Sequence, residues 1–215
     1  MNTQQRKKTV KKAARKRKVD GPSPTLDPAR RSAAFHQAGH SISAYELETA
    51  YTRGLTLNTD GDLAPRIWGD EVGPNSHRLF WSRVQWPAEP EPEERTRIAG
   101  ARASAMVAGY VAEAAVAGLD PIPFTHTIDD KDPEWLDVHA LWAWALQEMP
   151  FDRASVHDYS PRVHHRVART VLETEALLRT HWHAVALIAE ALATRGTLTG
   201  FEIFDLLLKA HRARR

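Results

Sequence analysis

Cysteine is absent from all 215 residues, which excludes disulfides, thiolate metal ligands and a cysteine nucleophile. Any bound metal must then rely on histidine and carboxylate. No apolar run approaches the ~18 residues of a membrane span, and the first residues lack the apolar stretch of a signal peptide. The chain is therefore expected to be cytoplasmic, with no membrane partner. Neither G-x-x-x-x-G-K-[ST] nor G-x-G-x-x-G occurs, so ATP and dinucleotide binding are not expected. What remains is an ordinary globular composition, 42% hydrophobic, in a length that suits one domain with a tail.

The net charge of +2 conceals an uneven distribution. Residues 1–20 hold nine Lys/Arg, among them Arg6, Lys7, Lys8, Lys11, Lys12, Arg15, Lys16, Arg17 and Lys18, against Asp20 alone. Removing these from the totals of 29 and 27 leaves 20 basic and 26 acidic residues, a net of −6. Residues 1–27 thus read as a basic, self-repelling arm and linker, and residues 28–215 as a mildly acidic domain. The cluster at residues 6–18 is expected to give weak, sequence-blind, salt-sensitive polyanion binding, because no aromatic interrupts it to stack on bases.

The domain opens with Asp27 as N-cap and Pro28 as first helical residue, which predicts a helix from Ala29 to about Ala50. Leu55 and Leu57 then alternate with polar residues. Residues 63–68 read as a second strand, at an edge because Pro65 cannot donate to a ladder, and residues 77–84 as a third. Helices follow over Glu93–Ala117 and Pro133–Glu148. Ser160-Pro161 starts a long helix ending near Gly196, and Thr199 with Glu202 forms a capping box for the last. The fold class is α+β, predominantly helical, with a small strand region after the first helix.

On the first helix, His36 and His40 lie one turn apart on one face, so two imidazoles can grip one Zn²⁺. In H-E-x-x-H peptidases the residue after the first histidine is the glutamate that acts as general base. Here it is Gln37, whose carboxamide can hold a water but cannot take its proton near neutral pH. Eleven histidines would give about half an i,i+4 pair by chance, so the spacing alone is a weak signal. Gly39 costs ~1 kcal/mol within a helix and suggests a close helix contact. Trp135, Trp142 and Trp144 share a helix with Leu136 and Leu141, which points to core or interface packing. The remaining histidines, His164-His165 and His181-x-His183 among them, share no common face and read as ordinary helix residues.

The segment Ala33-Ala34-Phe35-His36-Gln37-Ala38-Gly39-His40 resembles the A-x-H-E-A-G-H signature of the peptidase domain of FtsH-type zinc proteases. Three further stretches follow in that family's order. Gly109-Tyr110-Val111-Ala112-Glu113 is similar to its G-R-x-A-E helix, and the Asp-bearing segment before Trp142 to the helix that brings its third ligand. Leu177 to Ile203 is similar to its closing helical pair. The resemblance covers about residues 29–208 and implies a free-standing peptidase-type domain without the family's ATPase module or membrane anchor. It implies a zinc centre of His36, His40 and an Asp at the start of a later helix. Asp132, placed to cap the helix that begins at Pro133, fits best, with Asp129, Asp130 and Asp137 as rivals and His126 and His139 as weaker alternatives. The family forms rings, so self-association is implied too.

Two functions follow from position 37. One is a zinc metallopeptidase-like domain acting on polypeptide, impaired in hydrolysis by the loss of its base. The other is a pseudo-peptidase, a binding or scaffold module that holds a partner protein in the same cleft, with the basic arm as tether. A Gln here fits a non-catalytic relative, a deliberate inactivating replacement, or an enzyme that recruits another base.

Overall fold

The computed structural model describes residues 27–49, 54–57, 66–68, 90–148 and 155–213. The basic arm at residues 6–18 and the strand expected over residues 77–84 lie outside them. In chain order the elements are α1 (Pro28–Glu46), β1 (Gly54–Thr56), β2 (Arg66–Trp68), α2 (Pro92–Ala117), α3 (Pro121–Thr125) and α4 (Pro133–Ala145). A 3-10 turn (Val156–Asp158), α5 (Pro161–Arg195), β3 (Thr197–Thr199) and α6 (Gly200–Ala213) complete the order. Helices dominate, as the fold class requires, and none of the described ones is long and apolar enough to cross a membrane.

Four helices begin as their sequences dictate. Asp27 accepts from the Ala29 N–H, Asp120 from Ile122, Asp132 from Trp135 and Ser160 from Val163, each followed by proline in the first turn. These side chains satisfy amide donors that have no partner inside the helix, and proline removes another. On α5, Val163, Val167, Val171, Leu178, Val185, Ile188 and Leu192 recur at helical spacing and are buried, the apolar stripe of a long core helix. Helix α1 packs against both α2 and α5. Arg30 donates through Nε to the Ala193 carbonyl at 2.6 Å, and Phe35 stacks on Trp182 with centroids 5.5 Å apart. Trp135 and Trp142 sit in the core, where Trp142 Nε1 donates to Thr170 Oγ1 at 3.0 Å.

The sheet runs β2-β1-β3, with both pairings antiparallel. Leu55 pairs in register with Ile67 on one side and Leu198 on the other, so among the described residues β1 is central and β3, which joins α5 to α6, lies on its other side. Leu55 and Leu198 are fully buried, which fixes the register of these short strands.

The α1–α2 crossing is built on small residues. Ala103, Ala108 and Ala112 of α2 are fully buried. A Cβ at Gly39 would run into the Ala108 carbonyl oxygen and come within 2.8 Å of the Ala112 Cβ. The glycine therefore sets how near the two helices lie. Gly39→Ala gains helix propensity, ~1 kcal/mol, but must push two backbones apart, an overpacking that costs ~1–3 kcal/mol and falls at the high end when no side chain can yield. A net loss of about 2 kcal/mol, lowering Tm by about 4–8 °C, is expected in thermal unfolding. An unchanged or raised Tm would show that the crossing does not depend on Gly39.

Candidate metal centre

Tight α1–α2 packing places both histidines of α1 over α2. Gly109 lies beneath them: a Cβ there would collide with His40 Nε2 and sit 2.6 Å from His36 Nε2. The missing side chain thus clears the space into which both imidazoles point, and their Nε2 atoms are 2.8 Å apart. From across the cleft comes Glu134 in the first turn of α4. Its Oε1 is 3.4 Å from His40 Nε2 and its Oε2 is 3.8 Å from His36 Nε2. With metal–ligand bonds of about 2.0–2.1 Å, tetrahedral donors stand about 3.3 Å apart, and the three separations bracket that value.

Neighbouring groups aim the imidazoles. His40 Nδ1–H donates to the Ala105 carbonyl at 2.8 Å, which leaves the Nε2 lone pair for a metal. His36 Nδ1 lies 3.6 Å from Glu113 Oε1, and Ser32 donates to that same oxygen at 3.4 Å. A backbone carbonyl behind one histidine and a carboxylate behind the other are what fix tautomer and ring orientation in metal sites.

Asp132, the expected third ligand, is used otherwise. Its Oδ1 accepts both the Trp135 N–H at 2.9 Å and the Tyr110 hydroxyl at 2.8 Å. It is the N-cap of α4, and the carboxylate brought to the histidines is Glu134, two residues on. Asp130 accepts from Ser155 Oγ at 2.7 Å, which ties its loop to the 3-10 turn, and Asp129 accepts from the Lys131 N–H within its own loop. His139 is buried and donates through Nδ1 to Trp135 O. His126 and His139 line a cavity of about 680 Å³ whose walls do not include His36, His40 or Glu134. Gln37 is buried at 3% exposure, and its Oε1 has no hydrogen-bond partner among the described residues.

Electrostatics favour a cation. Burial of His36 works against its charged form, yet hydrogen bonding and attraction from Glu113 and Glu134 outweigh it and raise its pKa to about 9. Burial, reinforced by Glu134 and Asp132, pushes the Tyr110 hydroxyl far above its ordinary range, so Tyr110 is a neutral donor and not a base. Its ring stands edge-on to His36, centroids 5.1 Å apart.

The His36 shift has two consequences. In the metal-free protein, the stabilisation from protonated His36 is fully present below pH 6.5 and is lost as pH rises through about 9. A zinc ion bound there would have to displace that proton, so its apparent affinity would rise about tenfold per pH unit across pH 7–8.5. Competition with a chelator of known affinity checks this. An affinity that levels off by pH 7.5, as an unperturbed imidazole would give, would contradict the coupling to Glu113 and Glu134.

Sequence reasoning missed Glu134 and gave Tyr110 and Gly109 no individual role. Compared with known proteins, the chain matches no family model and no curated sequence.

Proposed function

We propose that this chain is a zinc-binding domain of FtsH-type metallopeptidase kind whose hydrolytic step is disabled at residue 37. The observation that carries the reading is the convergence of His36 Nε2, His40 Nε2 and a Glu134 oxygen over Gly109, where a side chain on α2 would fill the space. The donor set is right for zinc: two neutral imidazoles and a carboxylate leave a fourth position open. When bound, zinc would supply Lewis acidity and lower the pKa of a bound water.

The protein's own groups divide the remaining work. Glu113 and the Ala105 carbonyl orient the imidazoles, and Tyr110, kept neutral by its surroundings, offers a hydroxyl held by Asp132. Gln37 can orient a water or a substrate carbonyl but cannot accept a proton. Its buried Oε1, which accepts no hydrogen bond among the described residues, could be satisfied by a water or by a peptide N–H. The site is thus equipped to hold polypeptide better than to cut it, which makes retention of a peptide or partner protein its working activity.

Zinc content tests the proposal. Replacing both His36 and His40 by alanine is expected to remove one tightly held zinc per chain, measured by elemental analysis after dialysis against excess apo-chelator. Zinc content unchanged by the double replacement would end the metal reading.

A further inference from the structure

A second cluster of metal-ligating side chains lies where three helices meet, and none of its members belongs to the His36–His40 centre. Glu46 is the last residue of α1, His181 lies midway along α5, and His211 is in the last turn of α6. Glu46 Oε1 is 3.0 Å from His181 Nδ1 and 3.9 Å from His211 Nε2, and one donor atom from each of the three lies within 4.8 Å of the other two. We propose that these residues form a second site for a divalent transition metal, and that the metal clamps the C-terminal helix α6 to α1 and α5.

Four features support this. First, the chemistry selects the ion: two imidazoles and one carboxylate suit Zn²⁺ or Ni²⁺, whereas Mg²⁺ and Ca²⁺ demand oxygen ligands. Second, the elements are unconnected in local sequence, so the cluster arises from packing and not from a run of exposed charges. His181 continues the buried stripe of α5, one turn past Leu178 and one before Val185. Third, Glu46 ends α1 and His211 lies in the last turn of α6, where the helix dipole favours a cation. Fourth, Glu46 Oε1 is buried and accepts no hydrogen bond among the described residues, although it faces a nitrogen at 3.0 Å.

His181 and Glu46 are largely enclosed, whereas the His211 side chain is 44% exposed. Two ligands are therefore held by the core and the third closes from the surface, which gives the ion its entry path. The clamp also suits α6, which is amphipathic and leaves Phe201 and Phe204 exposed. It packs onto α5 and the small sheet, and a bond from its last turn would fix the end farthest from β3.

The test is run in the full-length His36→Ala/His40→Ala protein, which lacks the first centre. One equivalent of Zn²⁺ is expected to remain after dialysis. Added zinc, at a hundredfold excess over Kd, is expected to raise Tm by about 5–10 °C, and Mg²⁺ is not. Both effects should vanish in His211→Ala and in Glu46→Gln. In the parent chain the surface replacement His211→Ala should lower zinc from two equivalents to one, a readout that does not require the double variant to fold. Zinc binding insensitive to both His211→Ala and Glu46→Gln, or a parent stoichiometry unaltered by His211→Ala, would overturn the second site. Failure of the first centre is a separate result: a Glu46→Gln/His211→Ala protein would then lose no zinc on replacement of His36 and His40.

Discussion

Gln37→Glu is expected to raise metal-dependent peptide hydrolysis by about 10²–10⁴-fold over the parent, the usual worth of a positioned general base. Residue 37 follows the first histidine of the pair, the place a base occupies in H-E-x-x-H sites. The change is nearly isosteric and converts a buried amide into a carboxylate on the residue next to His36. Turnover of an unfolded protein substrate, with and without chelator, measures it. Strong chelator-sensitive turnover by the Gln37 protein would require another base and sink the disabled-peptidase reading. No gain in Gln37→Glu, with zinc still bound, would favour a binding role for a cleft that no longer admits a scissile bond.

The fold was legible wherever a residue's covalent chemistry forces the backbone. Asp27-Pro28, Ser160-Pro161 and Gly196, at φ 80°, mark their helix ends because they supply a cap, a fixed φ or left-handed freedom. The sequence reading overran two helices for the opposite reason. Helix α1 stops at Glu46, not Ala50, and α4 at Ala145, not Glu148. In both, the residue in left-handed conformation is not glycine: Glu48 at φ 52° and Gln147 at φ 59°. The hydrogen bonds Thr49 N–H to Ala44 O and Glu148 N–H to Ala143 O complete Schellman-type turns. Packing beyond the local sequence pays the ~1–2 kcal/mol that such residues cost there. Strand β3, three residues long, has no periodicity to read and exists because β1 offers an edge beside it.

Of the candidate metal centre, the half carried on one helix was legible. His36 and His40 are a local pattern, and Gly39 announces a close crossing. The other half depends on tertiary reach. Asp132 and Glu134 are both acidic residues at the start of α4, and sequence cannot say which one faces α1. The structure separates them by length and position. The short Asp132 side chain folds back on its own helix to cap it, whereas the longer Glu134 side chain extends to the histidines. An acid in a first helical turn also has an ordinary explanation, the helix dipole, which hid Glu134 among unremarkable residues. Gly109 was visible only as part of a motif, since nothing local tells that a side chain on α2 would occupy the space of two imidazoles on α1.

The assignment of the third ligand gives the last large effect. Glu134→Gln is expected to lower zinc affinity at the His36–His40 centre more than 100-fold, because removing a direct ligand should exceed the 10–100-fold typical of the groups behind one. Asp132→Asn is expected to change it less than tenfold. Asparagine caps a helix as well as aspartate does, and its amide oxygen can still accept from the Trp135 N–H and the Tyr110 hydroxyl, so the fold stays intact while the charge is lost. The paired isosteres thus separate ligation from capping, and chelator competition in a Glu46→Gln/His211→Ala background confines the reading to this centre. The reverse order, a severe loss in Asp132→Asn and a mild one in Glu134→Gln, would return the ligand role to Asp132 as the family resemblance implies. It would also mean that Asp132 leaves its cap to bind metal, a rearrangement that the thermal stability of α4 in the zinc-loaded protein would report.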